Sequence, residues 1–272
     1  MRKTGIAAVL SFISLALPAA CFADTATKPA THVISSIDLA KPFGTHSPWQ
    51  FIASQAAGGQ QSGGIRDTDP GTVFPCITAD NTRTCLPDTG SALRESDSDS
   101  TDGFVEPHFL LDARVVHAST ASADRALLLL KLGSIQADDG DQRRGTQVYA
   151  YDRARDSFAM VYAHRNGNNN NQEVRFIADG RLQGDIISVE PTQDAPFGYW
   201  VSVNSIGAAG SYKEVLRYRS ATAYGDGNPL AVIDAEMPNI QRRMGLWKPG
   251  MPLPAPHDCT APHLVKSVLW CG

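Results

Sequence analysis

The stretch Ala126-Leu127-Leu128-Leu129-Leu130-Lys131-Leu132 decides the fold. Successive side chains of a strand point to opposite faces, so an apolar run of strand length without alternation needs cover on both sides. That is the signature of a central strand. Working outward, Phe109 to His117 alternates. It puts Phe109, Leu111, Ala113, Val115 and His117 on one face, with His108, Asp112 and Arg114 on the other, as period two demands for one covered and one wet side.

Short runs rich in β-branched and aromatic residues continue on either side. Upstream they are His32 to Ile37 and Trp49 to Ser54. Downstream they are Gln147 to Tyr151, Phe158 to Ala163, Glu173 to Ala178, Asp185 to Glu190, Tyr199 to Asn204, Tyr212 to Arg219 and Leu230 to Asp234, with a last strand over Leu264 to Trp270. Separators such as Asp152 to Asp156, Asn166-Gly167, Asp179-Gly180 and Asp226-Gly227 carry turn chemistry. One short helix fits Pro238 to Met244, since proline suits a first helical position and Gly245 suits the residue past the end. About a dozen strands with so little helix predict an all-β fold, an antiparallel sandwich or barrel-like meander.

The segment Val148-Tyr149-Ala150-Tyr151-Asp152-Arg153-Ala154-Arg155-Asp156-Ser157-Phe158 resembles the strand-turn-strand of β-propeller blades. The resemblance implies a small propeller-like fold as the alternative. No repeat at fixed period accompanies it, and a closed propeller needs roughly 4 to 8 four-stranded blades.

The N-terminus carries Arg2 and Lys3, an apolar run from Ile6 to Leu17, and small residues ending at Ala23. That order is the layout of a secretory signal peptide over 1–23, which leaves 24–272 as one β-rich domain. The run is shorter than the roughly 20 residues a membrane span needs. The expected location is therefore periplasmic or extracellular, with no transmembrane span. In the alternative, Leu17-Pro18-Ala19-Ala20-Cys21 serves as a lipoprotein box and Cys21 is lipid-anchored, although Pro18 stands where such boxes carry an aliphatic residue.

Loss of Cys21 with the leader leaves Cys76, Cys85, Cys259 and Cys271, an even set in an exported chain, which reads as disulfides rather than free buried thiols. Of three pairings, Cys76 with Cys85 and Cys259 with Cys271 are favoured because each closes a short loop containing turn formers. The chain has 24 Lys and Arg against 28 Asp and Glu. Discarding Arg2 and Lys3 makes it two charges more acidic. No basic stripe is present, which argues against nucleic acid as a partner.

The stretch 56–103, rich in Gly, Ser, Asp, Thr and Pro, reads as one long irregular loop, a length that points to function or loose order. Within it, Asp97, Asp99 and Asp102 offer the hard oxygen ligands that Ca²⁺ prefers. An EF-hand would place glycine at the sixth position, here Asp102, so a solvated polar loop is the competing reading. No other cofactor is expected.

Signatures of common catalysts are missing: no G-x-S-x-G, H-E-x-x-H, G-x-x-x-x-G-K or G-x-G-x-x-G occurs. Glu106, His108 and Asp112 form the most enzyme-like grouping. Four strand residues put His108 and Asp112 roughly 13 Å apart, however, too far for a direct bond without a bulge. His117 and His164 fall on apolar faces and read as satisfied core or rim histidines. The run Arg165-Asn-Gly-Asn-Asn-Asn-Asn-Gln-Glu-Val-Arg175 is the most distinctive. It is either a long hairpin tip, since Asn tolerates left-handed backbone, or a binding loop. In the second reading Asn168, Asn169, Asn170 and Asn171, with Glu173 and Arg175, recognise carbohydrate or peptide backbone. Arg217 and Arg219 are two apart, hence on one face, and form with nearby carboxylates either a structural ion network or an anion-recognising patch.

The expectation is an exported binding protein without catalysis: an inhibitor, an immunity-like protein or a cell-envelope accessory factor, with a protein or envelope glycan as partner. The alternative is an exported carbohydrate or ester hydrolase, calcium-dependent if the acidic loop holds an ion.

Overall fold

The computed structural model describes residues 30–58, 70–94, 105–120, 123–137, 140–168, 171–194 and 197–272. Residues 1–23, expected to be a signal peptide, and Asp97, Asp99, Asp102, Asn169 and Asn170 lie outside the described residues. What is described is all-β: thirteen strands in antiparallel sheets, a helix of twelve residues and a four-residue helical turn.

The first sheet holds β1 (Thr31–Asp38), β2 (Gln50–Ala56) and β3 (Val73–Thr78), with α1 (Ala40–Phe43) between the first two. The second is a meander of β4 (Phe109–Thr120), β5 (Ala123–Gln136), β6 (Gln142–Asp152) and β7 (Ser157–Gly167). The third comprises β8 (Glu173–Phe176), β9 (Ile186–Pro191), β10 (Gly198–Ile206) and β11 (Tyr212–Ala223). Helix α2 (Val232–Arg243) and a hairpin of β12 (Pro262–Val265) and β13 (Val268–Cys271) finish the chain.

The leucine run lies in β5 and behaves as its pattern demands. Leu128, Leu130 and Leu132 pack with Phe51, Ala53, Val73 and Ile77 of the first sheet. Leu127 and Leu129 point the other way, into a core shared with Val174, Phe176 and Ile186 of the third. A further core joins the far side of the third sheet, through Val189, Tyr199, Val201 and Val203, to Val232, Ile233 and Ile240 of α2. The sheets thus stack in sequence order, with α2 closing one side, and form no closed barrel. Each fully buried leucine contributes about 1.5–3 kcal/mol through removal of apolar surface from water.

Several expectations need correction. Leu230 to Asp234 is not a strand, because the helix already begins at Val232, where Val232, Ile233, Met237 and Ile240 recur at helical spacing against the third sheet. The helix is accordingly longer than Pro238 to Met244, and Pro238 sits buried inside it rather than at its start. Without an N–H, Pro238 leaves the Asp234 carbonyl without its helical donor.

The stretch 56–103 contains β3 and a 3₁₀ turn at Ser91–Leu93, so it is not one loop. The last strand is a hairpin whose turn residues Lys266 (φ 50) and Ser267 (φ 73) hold the left-handed backbone of a tight two-residue turn. In β4 a register shift between Leu110 and Asp112 breaks the alternation. Leu110, Ala113 and Val115 therefore reach the first core, while Leu111 and His117 face solvent. Finally, β7 and β8 belong to different sheets, so the Asn-rich run is an inter-sheet connection and not a hairpin tip.

Both favoured disulfides are formed, Cys76 with Cys85 and Cys259 with Cys271. Among the described residues no helix is long and apolar enough to cross a membrane.

Candidate functional site

The second and third sheets pack through facing surfaces that change character along their length. On the second sheet, neighbours across β5, β6 and β7 run in rows: Leu129, Val148 and Tyr162, then Lys131, Thr146 and His164, then Gly133, Arg144 and Asn166. Lateral neighbours share a face, so within two steps that face turns from apolar to polar. The third sheet does the same, from Phe176 and Ile186, through Val174, Ser188, Ser202 and Arg217, to Glu190, Trp200 and Arg219. The apolar ends form the core, and the polar ends meet as a candidate site.

Two contacts cross between the sheets there. Lys131 donates from Nζ to the Val174 carbonyl at 2.9 Å. Burial pulls the pKa of Lys131 down, and the carboxylates of Asp112 and Glu173 oppose that pull. His164 Nε2 lies 2.9 Å from Glu190 Oε1. The His164 contact holds the Glu190 carboxyl below the ordinary carboxylate range, against the opposing effect of burial, and Arg217 adds to the lowering. Beside them burial raises the Tyr162 phenol, helped by the negative charge of Glu190. A cleft of about 260 Å³ opens at the β8 side, lined in part by Lys131, Arg144, Asn166, Gln172 and Glu173.

Trp200 is the large apolar side chain on this surface, 39% exposed. It stands opposite Glu190 on one neighbouring strand and Arg219 on the other, while the Arg217 guanidinium lies over its ring at 5.3 Å. Arg219 reaches Asp194 at 3.1 Å. Arg217 and Arg219 therefore do share a face, flanking an indole plane. Sequence reasoning passed over Trp200, yet a signal was present: it has the opposite parity to Val201 and Val203, which alternation assigns to the dry side.

Of the other expected binding residues, Glu173 lines that cleft and also accepts from Arg175, which turns away from it. Arg175 faces α2, donating to Glu173 at 2.6 Å and gripping Asp234 through two bonds of 2.6 and 3.0 Å. Burial alone would lower its pKa, and the bonds to Asp234 and Glu173 outweigh that and raise it. This grouping is a structural clamp between β8 and α2. Asn168 follows β7 in a bend, and Asn171 takes left-handed backbone (φ 56) with its amide 3.4 Å from the Tyr199 hydroxyl.

The enzyme-like trio disperses: Glu106 accepts from Thr72, His108 contacts the Pro70 carbonyl, and Asp112 pairs with Arg114. Among the described residues no group of three or more His, Cys, Asp or Glu side chains could hold a metal. The chain has no significant match among protein-family models, curated proteins or solved structures.

Proposed function

We propose that this is an exported recognition protein without catalysis, and that it contacts its partner through the open end of the third sheet around Trp200. The observation that carries the reading is the exposed indole with Arg217 over its ring and Glu190 and Arg219 as cross-strand neighbours. An exposed indole set among guanidinium and carboxylate groups suits a sugar, whose C–H groups pack on aromatic carbon and whose hydroxyls hydrogen-bond to the charged neighbours. A cell-envelope glycan is the favoured partner, and a protein surface is the other class such a patch can serve. The leader-like N-terminus and the paired cysteines support an oxidising, exported setting.

The test is retardation of the mature protein in native gels cast with envelope polysaccharide, and its recovery on envelope extract. Trp200→Ala should lose retardation with an unchanged melting temperature, and an alanine variant of 168–171 reports separately on the connection. Equal behaviour of Trp200→Ala and the parent protein would remove the proposal.

A hydrolytic reading has one observation in its favour, the His164–Glu190 contact beside Tyr162, because a carboxylate next to an imidazole is the core of a general base. Turnover of chromogenic esters or glycosides that vanishes in His164→Ala would establish it.

A further inference from the structure

After α2 the chain runs Trp247-Lys-Pro-Gly-Met-Pro-Leu-Pro-Ala-Pro256 before the C-terminal hairpin. A turn at Lys248–Met251, closed by the Met251 N–H on the Lys248 carbonyl at 3.1 Å, leads into Pro252 to Pro256, where alternate prolines, fixed in φ and lacking an N–H, stiffen the backbone. The segment forms a strap beside α2, and each half of it lines a cavity. The larger, of about 470 Å³, lies between α2, the first half of the strap and the hairpin. Pro238, Trp247, Met251, Leu253 and Leu264 give it apolar walls, and exposed Arg242 stands at its rim.

Arg242 is aimed rather than adrift. Its guanidinium donates to Asn239 Oδ1 at 3.0 Å, while the buried Asn239 amide donates to Glu236 Oε2 at 3.1 Å. Because Asn239 must present Nδ2 to Glu236, its oxygen is left facing Arg242. A relay at i, i+3 and i+6 thus fixes the cation without neutralising it. No acidic residue is among the described residues lining the cavity. Exposed Lys248 and Lys266 sit next in sequence to the lining residues Trp247 and Ser267, adding positive charge nearby. The Trp247 N–H is already taken by the Pro252 carbonyl at 2.9 Å, so the indole serves as a wall.

We propose that this groove binds a small amphiphilic carboxylate, with its apolar body along Trp247, Met251 and Leu264 and its head on Arg242. The volume falls within the range of about 300–1,000 Å³ typical of small-molecule sites. A guanidinium fork matches the two oxygens of a carboxylate. The site is independent of the Trp200 surface.

The test is isothermal titration of the mature protein with octanoate and with 1-octanol, which share a body and differ in head charge. Octanoate should bind one to one and at least about tenfold tighter than octanol, the worth of a hydrogen bond to a charged group. Arg242→Gln should erase that difference, Arg242→Lys should keep part of it, and Trp200→Ala should leave it intact. Leu264→Glu, on an exposed hairpin position, puts a like charge in the wall and should abolish octanoate binding without disturbing the fold. Equal affinity for the two probes, no binding of octanoate, or octanoate affinity unchanged in both Arg242→Gln and Leu264→Glu would overturn the proposal.

Discussion

The Tyr218 hydroxyl of β11 donates to the Glu236 carboxylate of α2 at 2.8 Å, and Glu236 has no exposure to solvent. The same carboxylate accepts from the Thr222 N–H at 3.0 Å, the Thr222 hydroxyl at 2.7 Å and the Asn239 amide at 3.1 Å. Four donors converge on two oxygens, which offsets the cost of burying the group. The contact docks α2 onto the third sheet.

Removing that acceptor strands its donors. Glu236→Ala should destabilise by about 2–4 kcal/mol, through unsatisfied Tyr218, Thr222 and Asn239 plus a small cavity. Tyr218→Phe, which deletes one donor, should cost about 1.5–3 kcal/mol. Urea denaturation of both variants checks the order. Burial, and after it the Glu236 charge, push the Tyr218 phenol well above its usual range, so alkaline spectrophotometric titration should leave this tyrosine silent until the fold opens.

Acid acts on a different joint. Asp156, at the turn between β6 and β7, accepts from the Ser47 hydroxyl and from the Tyr151 hydroxyl, both at 2.5 Å. These bonds, the Ser47 bond foremost, lower its pKa from 3.8 to about 2. The sign follows from the folded value lying below the unfolded one. The stabilisation is complete above pH about 4 and fades as pH falls toward 2. Asp156→Asn should therefore flatten the melting temperature across that window, with little change in slope at neutral pH.

The central strand should be intolerant at every apolar position. Leu128→Ala and Leu129→Ala, though they point into different cores, should each cost about 2–5 kcal/mol. Leu111→Ala, on the outward bulge, should stay within about 0.5 kcal/mol. Chemical denaturation of the three variants separates a strand covered on both sides from one with a wet face.

Thiol counting tests the bridges. A chain that starts at Asp24, unfolded without reductant, should show no free sulfhydryl, and four after reduction. Their loops are short, 9 and 12 residues apart in sequence, so Cys76→Ser with Cys85→Ser, or Cys259→Ser with Cys271→Ser, should lower stability by about 2–3 kcal/mol per bridge.

The strands of the second and third sheets were legible because each carries its burial in its own alternation or run, as Leu127 to Leu132 shows. Helix α2 was only half legible. Val232 and Ile233 read as strand residues until the third sheet is there to receive their helical face, and Pro238 mimics a start signal. The bulge beside Leu111 has no local marker, since a one-residue slip is set by the partner strand. Arg217 and Arg219 were placed correctly on one face, whereas their indole neighbour was hidden among apolar residues of its own strand. His164 and Glu190 meet across two sheets and 26 positions of chain, a relationship that spacing cannot encode.

Because β5 gives one side chain after another to two different cores, the middle layer has no outward surface of its own over that run. Its chemistry reaches the outside along its border strands, through side chains such as Arg114, His117 and Met160. Whatever this molecule meets, it must therefore greet at the margins of its central layer or on the coats around it, and a change deep in β5 should alter how long the protein lasts before it alters what the protein holds.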